Sequence, residues 1–169
     1  MVSVYGLSAT ALDQLAIASE IAEVASVHAA DVDEQARFPA ESMRALASGG
    51  LLGLCLPTSF DGKGEGMRAF AAVVEELSTA CASTAMVYVM HTAAAQAINA
   101  SSLLVDREAL LKEMAAGRHL TTLAFSESGS RSQFWAPVSK LETTDGHFTT
   151  SASKSWVTAA AEADSYVSS

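Results

Sequence analysis

Apolar side chains recur every three or four residues through the first two thirds of the chain. This spacing places them on one face of a helix. The pattern predicts five helices. The first runs from Ser8, its N-cap, to about Asp31, and the second from Pro39 to the glycines at 49 and 50. The third covers Met67 to Leu77, the fourth roughly Ser83 to Ala100, and the fifth is capped by Asp106 and ends before Gly117. This part of the chain is therefore predicted to be mainly helical, with loops between the helices.

Two connectors separate the second helix from the third. The apolar run LLGLCLP, residues 51–57, indicates a buried connector, and Thr58 to Gly66 is a loop rich in glycine with an Asp61-Gly62 turn. A glycine-rich loop can cradle phosphate, but this one follows no strand and lacks the GxGxxG or Walker spacing. We therefore predict a plain turn.

The pattern changes after His119 to alternating β-branched and aromatic residues. Strands are predicted within LTTLAFS, APVSKLETT, HFTTSAS, SWVT and SYVSS, with Asp145-Gly146 as a hairpin turn. Helices followed by strands predict an α+β arrangement with a boundary at residues 117–120. The last run reaches Ser169 without a closing turn, so we expect an unfinished sheet.

Composition narrows the possible functions. Half of the residues are hydrophobic, and 19 acidic against 10 basic residues give a net charge of -9. An acidic surface repels phosphate backbones and anionic lipid, which argues against a nucleic-acid or membrane-surface partner. Cys55 and Cys81 lie in apolar stretches without metal-site or redox spacing, so we expect buried reduced thiols and no metal.

The N-terminus and the long uncharged stretch bear on location. No basic region followed by an apolar core opens the chain, so no secretory signal is expected. Leu77 to Val105 lacks Asp, Glu, Lys and Arg, but it carries His91, Gln96 and Asn99, which is typical of a core helix. We expect a cytoplasmic protein.

Four stretches, taken in order, resemble the acyl-CoA dehydrogenase family. They are FPAESMRALASGGLLGLCLPTSFDGKGEG, VVEELSTACASTAMVYVMH, LLKEMAAGRHLTTLAFSES and SKSWVTAAAEADSYV. The pair formed by AFSES near residue 126 and KSWVT near residue 156 is specific, because the family uses both motifs to hold its flavin. A single short piece such as GLLGL would be weak evidence for the family.

The resemblance implies a fold and a division into domains. The family has an N-terminal helical domain, a middle β-domain and a C-terminal helical bundle. Residues 1–118 correspond to the first, residues 119–169 to the beginning of the flavin-binding β-domain, and none to the bundle. The expected fold is α+β, an all-α helical bundle followed by the first strands of a β-barrel-like domain, acyl-CoA dehydrogenase-like and incomplete.

The resemblance also implies a binding site for FAD. Ser126 corresponds to a hydroxyl at the pyrimidine end of the flavin, Trp156 to the aromatic beside its ring, and Thr158 to a hydroxyl near N5, while Phe125 and Val157 contribute backbone groups. We expect Ser126, Trp156 and Thr158 to converge on one face. From the residues alone, a lone Trp in a strand is more often a core residue, and the hydroxyls of Ser126, Ser132 and Thr158 could simply satisfy sheet edges.

Several positions depart from the family pattern. Ser128 replaces a usual proline, and Ser130-Arg131-Ser132-Gln133 replaces Ala-Gly-Ser-Asp. Ser132 corresponds to a serine near the pyrophosphate and the acyl-CoA. Arg131 is either a cation that pairs with a flavin or CoA phosphate, in which case it binds substrate, or a solvated loop residue. Ala152 and Ala159 replace a common Gly and Asn.

Several other residues are candidates from the sequence, and we assign none of them a role in catalysis. His91 is interpreted as a satisfied core histidine. Met86, Tyr88 and Met90 resemble the wall of the family's acyl-chain cavity, although methionine at helical spacing also indicates core packing. Glu127 matches a structural glutamate of the family turn.

The implied activity is FAD-dependent oxidation of an acyl-CoA thioester to 2,3-enoyl-CoA, an oxidoreductase reaction on a CH–CH group in fatty acid metabolism. A carboxylate removes the α-proton while the β-hydrogen leaves as hydride. In the family this base comes from the C-terminal bundle, so no residue here is named as catalytic and the chain alone is expected to be inactive. An electron-transfer flavoprotein or similar acceptor and a homo-oligomer, dimer or tetramer, are implied.

Two other functions stay open at this point. The altered SGSRSQ loop permits a flavin-dependent monooxygenase of the same superfamily. A noncatalytic module or split subunit that binds a partner through the unfinished sheet is the third possibility.

Overall fold

A computed structural model describes residues 6–131, 133 and 136–169. The helices are α1 (Ala9–Glu34), α2 (Ala40–Ser48), α3 (Met67–Ala80), α4 (Ala82–Ala100) and α5 (Arg107–Ala115). Short 3-10 turns lie at Leu51–Gly53 and Thr58–Phe60. The strands are β1 (Thr121–Ala124), β2 (Leu141–Thr144), β3 (His147–Thr150) and β4 (Ser165–Ser168). The change from helix to strand falls where the apolar period predicts it.

The helix ends follow from local chemistry. The Ser8 side chain accepts a hydrogen bond from the Ala11 backbone N–H at 3.1 Å, which confirms the predicted N-cap. α2 starts one residue later than predicted, with Pro39 as its N-cap, and Gly50 follows it in the left-handed conformation (φ 71°). Asp106 occupies the N-cap of α5, but its side chain makes no capping bond.

The core forms where α1 packs on α3 and α3 packs on α4. Its largest fully buried residues are Leu46, Leu51, Leu54, Leu77 and Tyr88. Each such side chain contributes about 1.5 to 3 kcal/mol relative to an exposed position. Apolar burial of this extent makes the helical part the stable portion of the chain.

Side chains of α4 satisfy the buried connector that was predicted from LLGLCLP. The Tyr88 hydroxyl donates to the Leu51 carbonyl at 3.1 Å, and Gln96 Nε2 donates to the Cys55 carbonyl at 2.9 Å. His91 Nε2 lies 3.2 Å from the Leu52 carbonyl. Irregular backbone is tolerated in a core only when its polar groups find such partners.

His91 also joins α4 to the first strand. Its Nδ1 accepts the Thr121 backbone N–H at 3.2 Å, so the neutral ring donates from Nε2 to Leu52. Burial lowers the pKa of His91 to about 4. The predicted core histidine is confirmed, and it holds the start of β1 against the helices.

The strands form two separate pairs. β1 and β4 are parallel, with Thr121 opposite Ser165, a pairing that was not predicted. β2 and β3 are antiparallel around Asp145 and Gly146, which both have positive φ (52° and 78°), as a type I′ hairpin requires. The predicted hairpin turn is therefore confirmed.

The prediction of a strand at SWVT is wrong. Trp156 has φ 57°, which is incompatible with an extended strand. In the described part of the chain, the pairing next to it is an isolated bridge between Glu127 and Lys154. Alternation of side chains does not reveal this, because a left-handed residue leaves the polar and apolar order unchanged.

Both cysteines are free thiols. Cys81 is buried, whereas Cys55 is only partly buried, and its burial raises its pKa to about 11. Among the residues that the structure describes, no helix combines the length and the hydropathy that a bilayer span needs.

Two glycines are fixed by close backbone contact. A Cβ on Gly62 would overlap the Leu56 carbonyl, and one on Gly117, whose φ is 73°, would lie 2.8 Å from Ala47 Cα. We expect Gly117→Ala to lower the free energy of unfolding by roughly 3 kcal/mol and Gly62→Ala by a similar amount. Urea denaturation of each variant measures this.

Gly66→Ala is the matched control, because nothing lies within 4 Å of its added Cβ and its φ is negative. Gly66→Ala should lower the free energy of unfolding by no more than about 1 kcal/mol, which is the range for a changed N-cap. Equal losses at all three glycines would contradict the close contacts.

His91 should make stability depend on pH. The unfolded ring binds its proton near its ordinary pKa of 6.5 and the folded ring only near 4, so the unfolded state holds more protons between these values. The contribution of the neutral His91 ring to the free energy of unfolding is therefore fully present above about pH 6.5 and is lost as the pH falls. We expect His91 to account for a loss of about 2 kcal/mol between pH 7 and pH 5.

Urea denaturation at several pH values checks this dependence. His91→Gln should flatten the slope, whatever its own stability. His147→Gln, on the exposed hairpin, should keep the slope of the parent. An unchanged slope in the His91 variant would show that other groups are responsible.

Candidate functional site

A cavity of about 610 Å³ opens between α4 and the segments that follow β1 and precede β4. Its walls are Met86, Met90, Leu123, Phe125, Ser126, Trp156, Val157 and Thr158. The predicted convergence of Ser126, Trp156 and Thr158 is thus confirmed. Phe125 and Val157 lie there as well.

Helix and strand periodicity place the residues of two walls. Met86 and Met90 are four residues apart on α4, on the face opposite Tyr88, which is fully buried. Leu123 and Phe125 are two residues apart and share one side of the extended chain. The two methionines therefore belong to the cavity, whereas Tyr88 belongs to the core.

Backbone hydrogen bonds bring the third wall alongside Ser126. The Ser155 N–H donates to the Ser126 carbonyl at 2.9 Å, and the Ser128 N–H donates to the Ser153 carbonyl at 3.2 Å. Glu127 and Lys154 form the antiparallel bridge between these bonds. Two motifs thirty residues apart in sequence therefore run side by side.

The Glu127 carboxylate binds three other residues at this crossing. It is 5% exposed and accepts the backbone N–H of Val138 at 2.7 Å and of Ser139 at 2.8 Å, the Ser139 hydroxyl, and Lys154 Nζ at 2.6 Å. The Lys154 ammonium and the Ser139 hydroxyl hold the pKa of Glu127 at about 2. The structural role expected for Glu127 is what its contacts show, and sequence reasoning missed Lys154.

Trp156 is 92% exposed and has φ 57°, and Ala159 follows with φ 55°. The alternative that Trp156 is a core residue is therefore wrong. Left-handed backbone costs about 1 to 2 kcal/mol for a residue with a side chain. A bulky aromatic held in this conformation at a cavity mouth is typical of a functional site.

Two predicted site residues, Ser132 and Arg131, are not among the described residues of the cavity wall. Ser132 falls outside the described residues, so its role stays a prediction. Arg131 is exposed with φ 52° and is not part of the cavity wall. Its left-handed backbone accounts for the glycine that the family resemblance places there.

The cavity suits a planar aromatic heterocycle. Two methionines, Leu123 and Val157 supply apolar surface, and the exposed indole of Trp156 offers a face for stacking. Ser126 and Thr158 add hydroxyl-bearing side chains to the same wall. An isoalloxazine ring, with apolar faces and a polar edge, fits these groups.

The described cavity wall contains no ionisable side chain. Among the described residues there is also no cluster of three His, Cys, Asp or Glu side chains that could hold a metal. The wall can therefore bind and orient a ring, but it offers no group to take up a proton.

Comparisons with known proteins agree with this architecture. The family model described as "Acyl-CoA dehydrogenase, N-terminal domain" matches residues 6–118. The short-chain specific acyl-CoA dehydrogenase of Clostridium acetobutylicum is 28% identical over 142 residues, which cover 82% of this chain and 37% of that protein. The chain thus spans a little over a third of this relative's length.

Solved structures share the fold. Butyryl-CoA dehydrogenase from Megasphaera elsdenii matches with a TM-score of 0.85 at 21% identity, over 96% of this chain and 44% of that one. A chain described as the electron transferring flavoprotein of Acidaminococcus fermentans matches with a TM-score of 0.86 at 21% identity, over 96% and 43%.

The strain at Trp156 generates a test that needs no ligand. We expect Trp156→Gly to be more stable than Trp156→Ala by roughly 1 kcal/mol, because glycine adopts a positive φ freely and little buried contact is lost. Chemical denaturation of the two variants measures the difference.

Phe148 in β3 is the matched control, since it is an exposed aromatic on extended backbone. There the order should reverse, with Gly less stable than Ala by about 0.5 to 1 kcal/mol. The same order at both positions would argue against strain at Trp156.

Proposed function

The chain belongs to the acyl-CoA dehydrogenase family, and from that premise we propose that it supplies one wall of the flavin and substrate site of an enzyme that oxidises acyl-CoA thioesters to 2,3-enoyl-CoA. The single observation that supports this most is the cavity in which both flavin motifs meet. We assign residues 1–118 to the N-terminal helical domain and 119–169 to the beginning of the flavin-binding domain.

FAD is the proposed cofactor, since members of the family are flavoproteins. When bound, its ring would accept the hydride that leaves the substrate. In this proposal Trp156 stacks beside the ring, Ser126 donates its hydroxyl to the pyrimidine end, and Thr158 lies near the N5 edge. Phe125 and Val157 contribute backbone groups. Fixed donors at the polar edge favour the negative charge that builds there.

We assign substrate binding to the wall that α4 forms, across the cavity from Trp156. Met86 and Met90 offer flexible apolar surface, which suits an acyl chain and excludes water from it. Ser132 and Arg131 are proposed to hold the phosphate-bearing part of the CoA or the flavin. The exposure of Arg131 supports this, because a phosphate group can reach it.

We propose that the catalytic base lies outside these residues. Removal of the α-proton requires a carboxylate within hydrogen-bond reach of the substrate. The described cavity wall holds none, and Glu127, the nearest acid in sequence, is occupied by Lys154 and Ser139. These residues therefore bind and orient, and another part of the enzyme takes the proton.

Further properties of the enzyme belong to the same proposal. We propose an electron-transfer flavoprotein or similar acceptor, a homo-oligomer, a cytoplasmic location and a place in fatty acid metabolism. The monooxygenase and noncatalytic alternatives receive less support, because the curated relatives of the chain are named as dehydrogenases and a reductase.

The test uses the native protein that contains this sequence, isolated from its source cells with an antibody against these residues. We expect bound flavin whose visible absorption bleaches on anaerobic addition of acyl-CoA thioesters of graded length. Bound flavin that no thioester bleaches would contradict the dehydrogenase.

The 169-residue chain alone is the matched control for that experiment. Mixed with FAD and the same thioesters, it should neither retain stoichiometric flavin through dialysis nor bleach it, because it supplies one open wall and no base. Bleaching by the chain alone would show that the base lies within these residues.

A further inference from the structure

Two segments line the cavity without being joined by a continuous sheet. One contains Ser126, and the other runs from Trp156 to Thr158. Among the residues that the structure describes, two backbone hydrogen bonds join them, one on each side of the bridge between Glu127 and Lys154. So few bonds leave the spacing of these segments to the side chains at the bridge.

The Glu127 side chain is held by several hydrogen bonds. It is buried, and its two carboxylate oxygens accept four hydrogen bonds, from Val138, from Ser139 twice and from Lys154. A buried carboxylate with so many donors stays ionised and holds one geometry. The depressed pKa of Glu127 agrees with this.

Lys154 extends the contact to a third segment. Its Nζ also donates to the Ser169 carbonyl at 2.6 Å and lies 3.1 Å from the Ser169 hydroxyl, which in turn reaches the Phe125 carbonyl at 3.3 Å. The ion pair therefore lies where the residues after β1, the residues before Trp156 and the end of β4 meet.

The conformation of Trp156 needs such an anchor. A left-handed backbone at a bulky residue persists only when its surroundings over-determine it. The indole provides little of this support, since it is almost fully exposed. Lys154 lies two residues before Trp156 in the chain, and its ammonium forms an ion pair with Glu127. This ion pair can hold the backbone that leads into Trp156.

We propose that Glu127 and Lys154 are positioning residues, whose ion pair sets the spacing between the Ser126 hydroxyl and the Trp156–Thr158 segment and so the fit of the flavin ring. This rests on the proposed function. Neither residue belongs to the buried apolar clusters of the helical core. Removing the pair therefore opens the cavity wall and leaves the helices folded.

The first experiment measures amide hydrogen exchange by NMR in the full chain, without flavin. In Glu127→Gln and Lys154→Met, protection of the Ser155 N–H should fall by about tenfold or more, because a buried partner is left without its charge. Protection at Leu77 and Tyr88 should stay unchanged. Equal loss at the helical amides, or no loss at Ser155, overturns the proposal.

Controls test whether loss of charge as such causes the effect. Glu142→Gln and Lys140→Met change exposed residues in or next to β2 and should leave Ser155 as it is in the parent. Lys154→Arg keeps the charge and should restore most of the protection.

The second experiment measures flavin retention and the visible flavin spectrum in the native protein. Glu127→Gln should lose flavin on dialysis at least about tenfold faster than the parent, while Lys154→Arg should keep it. If the parent holds flavin and Glu127→Gln holds it equally well with the same spectrum, the positioning role is wrong and the proposed function stands. If the parent holds no flavin, the proposed function fails, and this role fails with it.

Discussion

The fold depends on one helix that satisfies the irregular backbone beside it. Tyr88, His91 and Gln96 lie along one face of α4 and hydrogen-bond the carbonyls of the connector between α2 and α3. Without His91 and Gln96 the carbonyls of Leu52 and Cys55 would lose their partners, which costs about 1 to 3 kcal/mol for each group. Without Tyr88 the Leu51 carbonyl would keep only the Leu54 N–H. The connector therefore stays buried only while α4 keeps its register.

The same register places the candidate site. With Tyr88 in the core, Met86 and Met90 face the other way and form a cavity wall. His91 reaches the N–H of Thr121 and so fixes β1, from which Leu123 and Phe125 enter the cavity. One face of α4 builds the core and the other face builds the site, so a shift of this helix would disturb both.

The stable core and the candidate site occupy different parts of the chain. The helical core concentrates apolar burial, whereas the cavity edge carries strained backbone at Trp156 and Ala159, an exposed indole and a buried ion pair. Such features reduce stability unless neighbouring contacts hold them in place. A strained edge on a rigid core is suited to receive a flat ring without rearranging.

The sequence by itself determined the local features. Helical periodicity, the Ser8 cap and the Asp145-Gly146 turn depend on residues that are close in the chain, and the structure has them as predicted. The two segments that resemble the family's flavin motifs were visible as well, because their residue types are specific, and they contain five residues of the cavity wall. Only the tertiary structure decided the parallel pairing of β1 with β4, the left-handed backbone at Trp156, the carbonyls held by α4, and the partnership of Glu127 with Lys154. Each of these joins residues far apart in the chain or depends on a backbone angle, and neither changes the order of polar and apolar residues from which local structure is inferred.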